Sequence, residues 1–208
     1  MGARQVTYSE NPGSMFGSMS YSSDAVVNLI VDGSEEGMPA ALVYETRLEM
    51  NISVGQATAL PNAPGAFASP LFGNFIFYQQ FGGPAFATGD PRGEEEILRG
   101  TFDSAIMLTV GGAGALITTS ENQFGLSYTA SGALLDQINA VGIPQLFGFK
   151  DAVFTLTDVL PTLSIGDSGR LTDFTANAAY TGTAEVPAPG AVGLLALSGL
   201  AAARRRRR

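Results

Sequence analysis

Leu42-Val43-Tyr44-Glu45-Thr46-Arg47-Leu48-Glu49-Met50-Asn51-Ile52-Ser53-Val54 changes character at every residue. In an extended chain Leu42, Tyr44, Thr46, Leu48, Met50, Ile52 and Val54 fall on one side, and Val43, Glu45, Arg47, Glu49, Asn51 and Ser53 on the other. Wound into a helix the same residues make no apolar stripe, so the stretch is a strand with one face toward a core and the other toward water.

Shorter alternations recur on both sides of it. Val27, Leu29 and Val31 form one, and Phe102, Ile106, Leu108 and Val110 share a face with Ser104. Phe124, Leu126 and Tyr128 form another, as do Phe154 with Leu156, and Phe174, Ala176, Ala178 and Tyr180. Turn residues separate them at Asp32-Gly33-Ser34, Gly111-Gly112, Ser120-Glu121-Asn122 and Gly166-Asp167-Ser168-Gly169. The only helical pattern before the C-terminal segment is a weak one, from Gly132 to Val141. Many short strands with tight turns predict a mostly β domain over residues 1–185, an antiparallel β-sandwich or jelly-roll-like fold. Proline-rich Pro61–Gly73 and Gly82–Gly93 read as long surface loops around the aromatic run Phe75, Phe77, Tyr78 and Phe81.

Composition limits the chemistry open to this domain. The 208 residues include no His, no Cys and no Trp. That removes imidazole bases, thiolate nucleophiles, thiolate zinc sites and disulfides, leaving carboxylates, hydroxyls and hard oxygen-ligated cations such as calcium. Five of the 11 basic residues are the terminal Arg204–Arg208, so the rest of the chain is strongly acidic and repels nucleic acid and anionic lipid.

Composition changes sharply at Val186. Val186-Pro187-Ala188-Pro189-Gly190 leads into uncharged Ala191–Ala203, with Ala191, Val192, Leu194, Leu195, Leu197 and Leu200 as its apolar positions, and then into Arg204, Arg205, Arg206, Arg207 and Arg208. As a helix, the segment from Val186 reaches the margin of the ~20 residues that cross a bilayer. The arginine block would stay on the cytoplasmic side and leave the acidic domain outside. This order of proline motif, apolar helix and basic end resembles the PEP-CTERM sorting signal of exported bacterial proteins. Ala188 stands where the name-giving signal has Glu, in a Val-Pro-x-Pro variant of the motif. The resemblance covers residues 186–208. It implies an inner-membrane anchor that is recognised and cut by an exosortase-type protease, in hosts that make exopolysaccharide or biofilm matrix. It also implies an export signal, and Met1–Ala25 has no apolar segment of that kind. We therefore expect the true start to lie upstream.

The remaining candidates read more simply. Glu94-Glu95-Glu96 with Asp90 and Asp103 could suggest a carboxylate pair for glycan hydrolysis. Adjacent strand residues point to opposite faces, however, so the three glutamates are expected in a solvated turn. Calcium at these residues, or at Asp24, Asp32, Glu35 and Glu36, is the alternative, although no 12-residue calcium loop is present. Phe75, Phe77, Tyr78 and Phe81 could face a sugar ring or a core, and burial is expected. Gly111–Gly114 lacks the spacing and the Lys of a phosphate cradle and reads as a hairpin turn. Lys150, the only lysine, is expected in a surface ion pair. The expectation is a non-catalytic exported protein with no cofactor; the rivals are a carbohydrate- or calcium-binding module and a carboxylate-dependent glycan enzyme.

Overall fold

A computed structural model describes residues 5–11, 13–22, 26–33, 40–80, 94–110, 112–120, 125–142 and 150–184. The strands are β1 (Val6–Ser9), β2 (Gly17–Ser22), β3 (Val27–Val31), β4 (Leu42–Val54), β5 (Thr58–Ala59), β6 (Phe67–Gln80), β7 (Glu94–Val110), β8 (Gly114–Ser120), β9 (Ser127–Ala130), β10 (Lys150–Leu160) and β11 (Phe174–Ala184). Among the described residues a helix, α1 (Gly132–Ala140), lies between β9 and β10. Among the described residues no helix is long and apolar enough to cross a membrane. The anchor expected at Ala191–Ala203 lies outside them, as does every residue from 185 to 208.

The chain is mostly β and the described strands all pair antiparallel, in keeping with the alternation, but the sheet closes on itself. Each strand in the series β1, β2, β4, β6, β7, β8, β10, β11 pairs with the next, and β11 returns to β1, making an eight-stranded barrel. The expected sandwich or jelly roll is therefore corrected to an up-and-down barrel. Both architectures bury one face of each strand, so residue alternation cannot distinguish them; the order of pairing does.

Register sorts the side chains. Ala176, Val6, Tyr21, Met50, Phe75, Gly100 and Tyr128 are successive cross-strand partners on the inner face. One residue away, Thr175, Thr7, Ser20, Asn51, Asn74, Thr101 and Ser127 form the matching row outside. The interior is apolar and this outer row is polar, the reverse of a membrane-spanning barrel. An eight-stranded barrel is just wide enough for side chains to fill. Phe75 and Phe154 are fully buried, with ring centroids 5.1 Å apart, and Tyr180 lies 5.1 Å from Phe75 and 5.0 Å from Phe154.

Two glycines make this filling feasible. Gly100 is the cross-strand partner of Phe75, and a Cβ there would run into the Phe75 ring. Gly73 lies so close to β4 that a Cβ would sit 2.8 Å from the Ile52 Cα. Opposite Leu71–Gly73 and opposite Phe77–Tyr78 of β6, β7 carries one extra residue, and past the first of these shifts Ala105, Met107 and Thr109 face the interior, whereas alternation predicts Ile106, Leu108 and Val110 on the face of Phe102.

Two boundaries differ from expectation. Much of the loop expected at Pro61–Gly73 is strand, because β6 starts at Phe67. Pro70 fits where the neighbour of β6 changes from β5 to β4, and its carbonyl accepts the Gly55 N–H at 2.8 Å. Glu94–Glu96 are the first residues of β7, not a turn, because Arg47 and Arg99 compensate two of the charges.

The barrel has two rims. Val6, Gln80, Glu94, Ser120, Lys150 and Ala184 mark the one at which β11 ends, here the tail rim. α1 packs there, burying Leu134 and Ile138, while the Ser131 N–H and hydroxyl donate to the carbonyls of Ile97 and Glu96. Replacing Phe75 by Ala should cost about 3–5 kcal/mol, as for other deletions of a fully buried aromatic. Urea denaturation of the variant against the parent measures it.

Candidate functional site

The residues expected to carry sorting, Val186, Pro187, Ala188, Pro189, the Ala191–Ala203 anchor and Arg204–Arg208, lie outside the described residues. The structure does describe the point from which they leave the barrel. At the end of β11, Gly182, Thr183 and Ala184 pair with Ala152, Asp151 and Lys150 of β10. The Thr183 N–H donates to Asp151 Oδ1 at 2.9 Å, and the Tyr128 hydroxyl donates to the Asp151 carbonyl at 2.6 Å. Tyr128 and Tyr180 share a second hydrogen bond, with their hydroxyl oxygens 2.8 Å apart. Both hydroxyls occupy the space a side chain at position 182 would need, so glycine there lets β9 clamp the last turn of the sheet.

Burial raises the pKa of all three interior tyrosines for which the effect is largest. Tyr180 is pushed up to about 12 by its burial. Tyr128 rises further, through burial first and the neighbouring Tyr180 second. Tyr8, stacked on Phe174 with centroids 5.1 Å apart, is also pushed up to about 12 by burial, with Arg170 opposing. Neutral hydroxyls are thus built into the core.

Lys150 is buried rather than on the surface. As the first residue of β10 it faces the inside of the tail rim, a position its sequence neighbours Phe149 and Asp151 do not reveal. Arg170 is a second buried cation, and nothing in the turn Gly166-Asp167-Ser168-Gly169 before it signals this. It donates to the Ser14 carbonyl at 2.7 Å and to Glu10 Oε1 at 3.4 Å, fastening the loop before β11 to the β1–β2 loop at the opposite rim.

The acidic run is taken up by arginines on the outer face. Arg47 holds Glu94 through two nitrogens, Nε to Oε1 at 3.0 Å and Nη2 to Oε2 at 2.6 Å, and reaches Glu49 at 3.3 Å. The Arg47 guanidinium also lies 4.7 Å from the centroid of the Tyr78 ring. These bonds, with Glu94 first, raise the Arg47 pKa and fix its charge. Glu96 pairs with Arg99, while Glu95 sits beside Gly132 at the start of α1. Asp103 lies apart, beside Gly125.

Glu95 therefore points away from Glu94 and Glu96, as strand geometry demands, and those two are engaged by different arginines. Among the described residues no group of three or more metal-ligating side chains could hold an ion. Asp24, Glu35, Glu36 and Asp90 lie outside those residues. Of the aromatic run, Phe75 and Phe77 are buried, Tyr78 lies under Arg47 on the outer face, and Phe81 is outside the described residues. Comparison with family models, curated proteins and solved structures gave no match to this chain.

Two outcomes test this account. A tyrosine that holds its proton more tightly when folded favours the folded state until the unfolded form begins to ionise. Stability should therefore be intact below pH 10.0 and fall as pH rises between 10.0 and about 12, with tyrosinate absorbance and loss of circular dichroism appearing together. Gly182→Val should displace the Tyr128 and Tyr180 hydroxyls and cost about 1–3 kcal/mol, read by thermal denaturation.

Proposed function

We propose that this chain is a non-catalytic exported protein of the cell surface or extracellular matrix, sorted through its C-terminus by an exosortase-type membrane protease. The observation that carries the reading is the order Val186-Pro187-Ala188-Pro189, uncharged Ala191–Ala203, then Arg204–Arg208. The apolar segment holds the chain in the inner membrane transiently, the arginines keep its end on the cytoplasmic side, and the acidic barrel faces outward. Cleavage near Pro187–Pro189 separates anchor from barrel, after which the barrel is released or joined to exopolysaccharide.

The position of the last strand supports this. β11 ends at Ala184, so a cut beyond Val186 removes no residue from any ladder of the barrel. The hydrogen bonds from Tyr128 and Thr183 to Asp151 hold the final pairings. An interior occupied by Phe75, Phe154, Met50 and Ile117 suits a body whose role is to be carried and displayed.

Intact mass and terminal peptides of the protein, recovered separately from envelope and medium, test the proposal. A species ending near Val186 supports it, and a chain confined to the cytoplasm and still ending in Arg208 overturns it. Replacing Arg204–Arg208 with Gln should reduce the processed fraction severalfold, measured by the same peptides; unchanged maturation counts against the orientation argument.

A further inference from the structure

Peroxides oxidise the sulfur of a folded protein before its other side chains. This chain has no cysteine, so its 6 methionines carry all of its sulfur. Met15, Met19, Met50 and Met107 are described, and Met1 and Met38 lie outside the described residues. Three of the four belong to the core: Met19 is 1% exposed, and Met50 and Met107 are 0% exposed. Met15, in the β1–β2 loop at the rim opposite the tail rim, is 79% exposed. Its turn is held on both sides. The Ser14 carbonyl accepts from Arg170 Nη1 at 2.7 Å, the Ser14 N–H donates to the Asn11 carbonyl at 3.1 Å, and the Phe16 N–H donates to Ser14 Oγ at 3.2 Å. After Met15, the Phe16 ring meets Phe72 edge to face, with centroids 5.0 Å apart. A backbone fixed in this way keeps the thioether presented to solvent.

We infer that Met15 is a reversible oxidation site, at which a hydroperoxide converts the exposed thioether to the sulfoxide in the folded protein and switches the surface around it from apolar to polar. Met15 Sδ forms a bond to one peroxide oxygen as the O–O bond breaks, and the proton on that oxygen passes to the departing hydroxide. One sulfoxide and one water (or, from an organic peroxide, one alcohol) result; sulfur gives up two electrons and the peroxide takes them. The new S–O group is a polar acceptor set beside Phe16 and Phe72, which are themselves 38% and 39% exposed. The interior is left as it was. At Met19, Met50 or Met107 the same oxygen would have to be buried among apolar side chains, at the cost of an unpaired polar group. The fold thus divides the described sulfur into one atom that reacts in the native state and three that react only when the barrel opens. The inference rests on the barrel alone and does not depend on the sorting reading.

Timed exposure of the full-length chain, in mild peroxide-free detergent, to hydrogen peroxide at neutral pH is the test, read by peptide mass spectrometry with fragmentation that separates Met15 from Met19. Met15 should gain one oxygen at least about tenfold faster than Met19, Met50 and Met107, whose reaction waits on opening of the core. In concentrated urea the four rates should converge, because the selectivity belongs to the fold. Protein oxidised at Met15 alone should keep its melting temperature, and the two epimer-specific methionine sulfoxide reductases should together return it to its starting mass without denaturant. Met15→Gln, which places a polar side chain at the same position, should fold with the same melting temperature. The inference is overturned if Met15 reacts no faster than the three core methionines, if the difference in rates persists in urea, or if oxidation at Met15 alone unfolds the barrel or resists the reductases.

Discussion

The contact between the Phe75 ring and the bare backbone of Gly100 sets the geometry of this barrel. The two residues face each other across β6 and β7, the strands with the longest shared ladder. The ring fills space that any side chain at position 100 would claim. From Phe75 the packing extends to Phe77, Phe154, Tyr128 and Tyr180, which bring β6, β9, β10 and β11 to a common centre. An aromatic laid over a cross-strand glycine also lets the strands coil tightly enough to close. The extra residues that β7 carries opposite Gly73 and Tyr78 serve the same closure.

A consequence appears at the tail rim. The same cluster that fills the core supplies the Tyr128 and Tyr180 hydroxyls that cover Gly182 and hold the last pairs of β11. The end of the final strand is therefore fixed from the interior of the barrel. In the proposed sorting scheme the barrel can be cut from its anchor without losing a ladder pair. Charges are arranged with similar economy on the outer face, where Arg47 engages two carboxylates and an aromatic ring, and Arg99 a third carboxylate. Of the acidic run, Glu94 ties β7 to β4 through Arg47, and Glu96 pairs with Arg99 within β7.

Much of this was legible in the residues, and the failures have physical causes. Alternation located β3 and β4 to their ends, because one face of each meets an apolar interior and the other meets water. It also placed α1 within one residue. Pro70 and Glu94–Glu96 misled, since a proline suits a strand where its neighbour changes and a run of like charges suits a strand where arginines stand beside it. Lys150 and Arg170 could not be read as buried, because their burial depends on segments distant along the chain: Arg170 meets Ser14 and Glu10 from the other end of the sequence.

The sequence by itself determined the β class, the inward face of β3, β4, β10 and β11, the exclusion of imidazole and thiol chemistry, and the tail whose order of proline, apolar and basic residues carries the sorting proposal. These are local properties: a period of two, a composition, a spacing. Only the tertiary structure decided that the strands close into a barrel, that Phe75 rests on Gly100, that the carboxylates divide between two arginines, and that an extra residue in β7 turns Ala105, Met107 and Thr109 inward. Each of these depends on which strand lies beside which, and strand pairing joins residues far apart in the chain whose local patterns are alike.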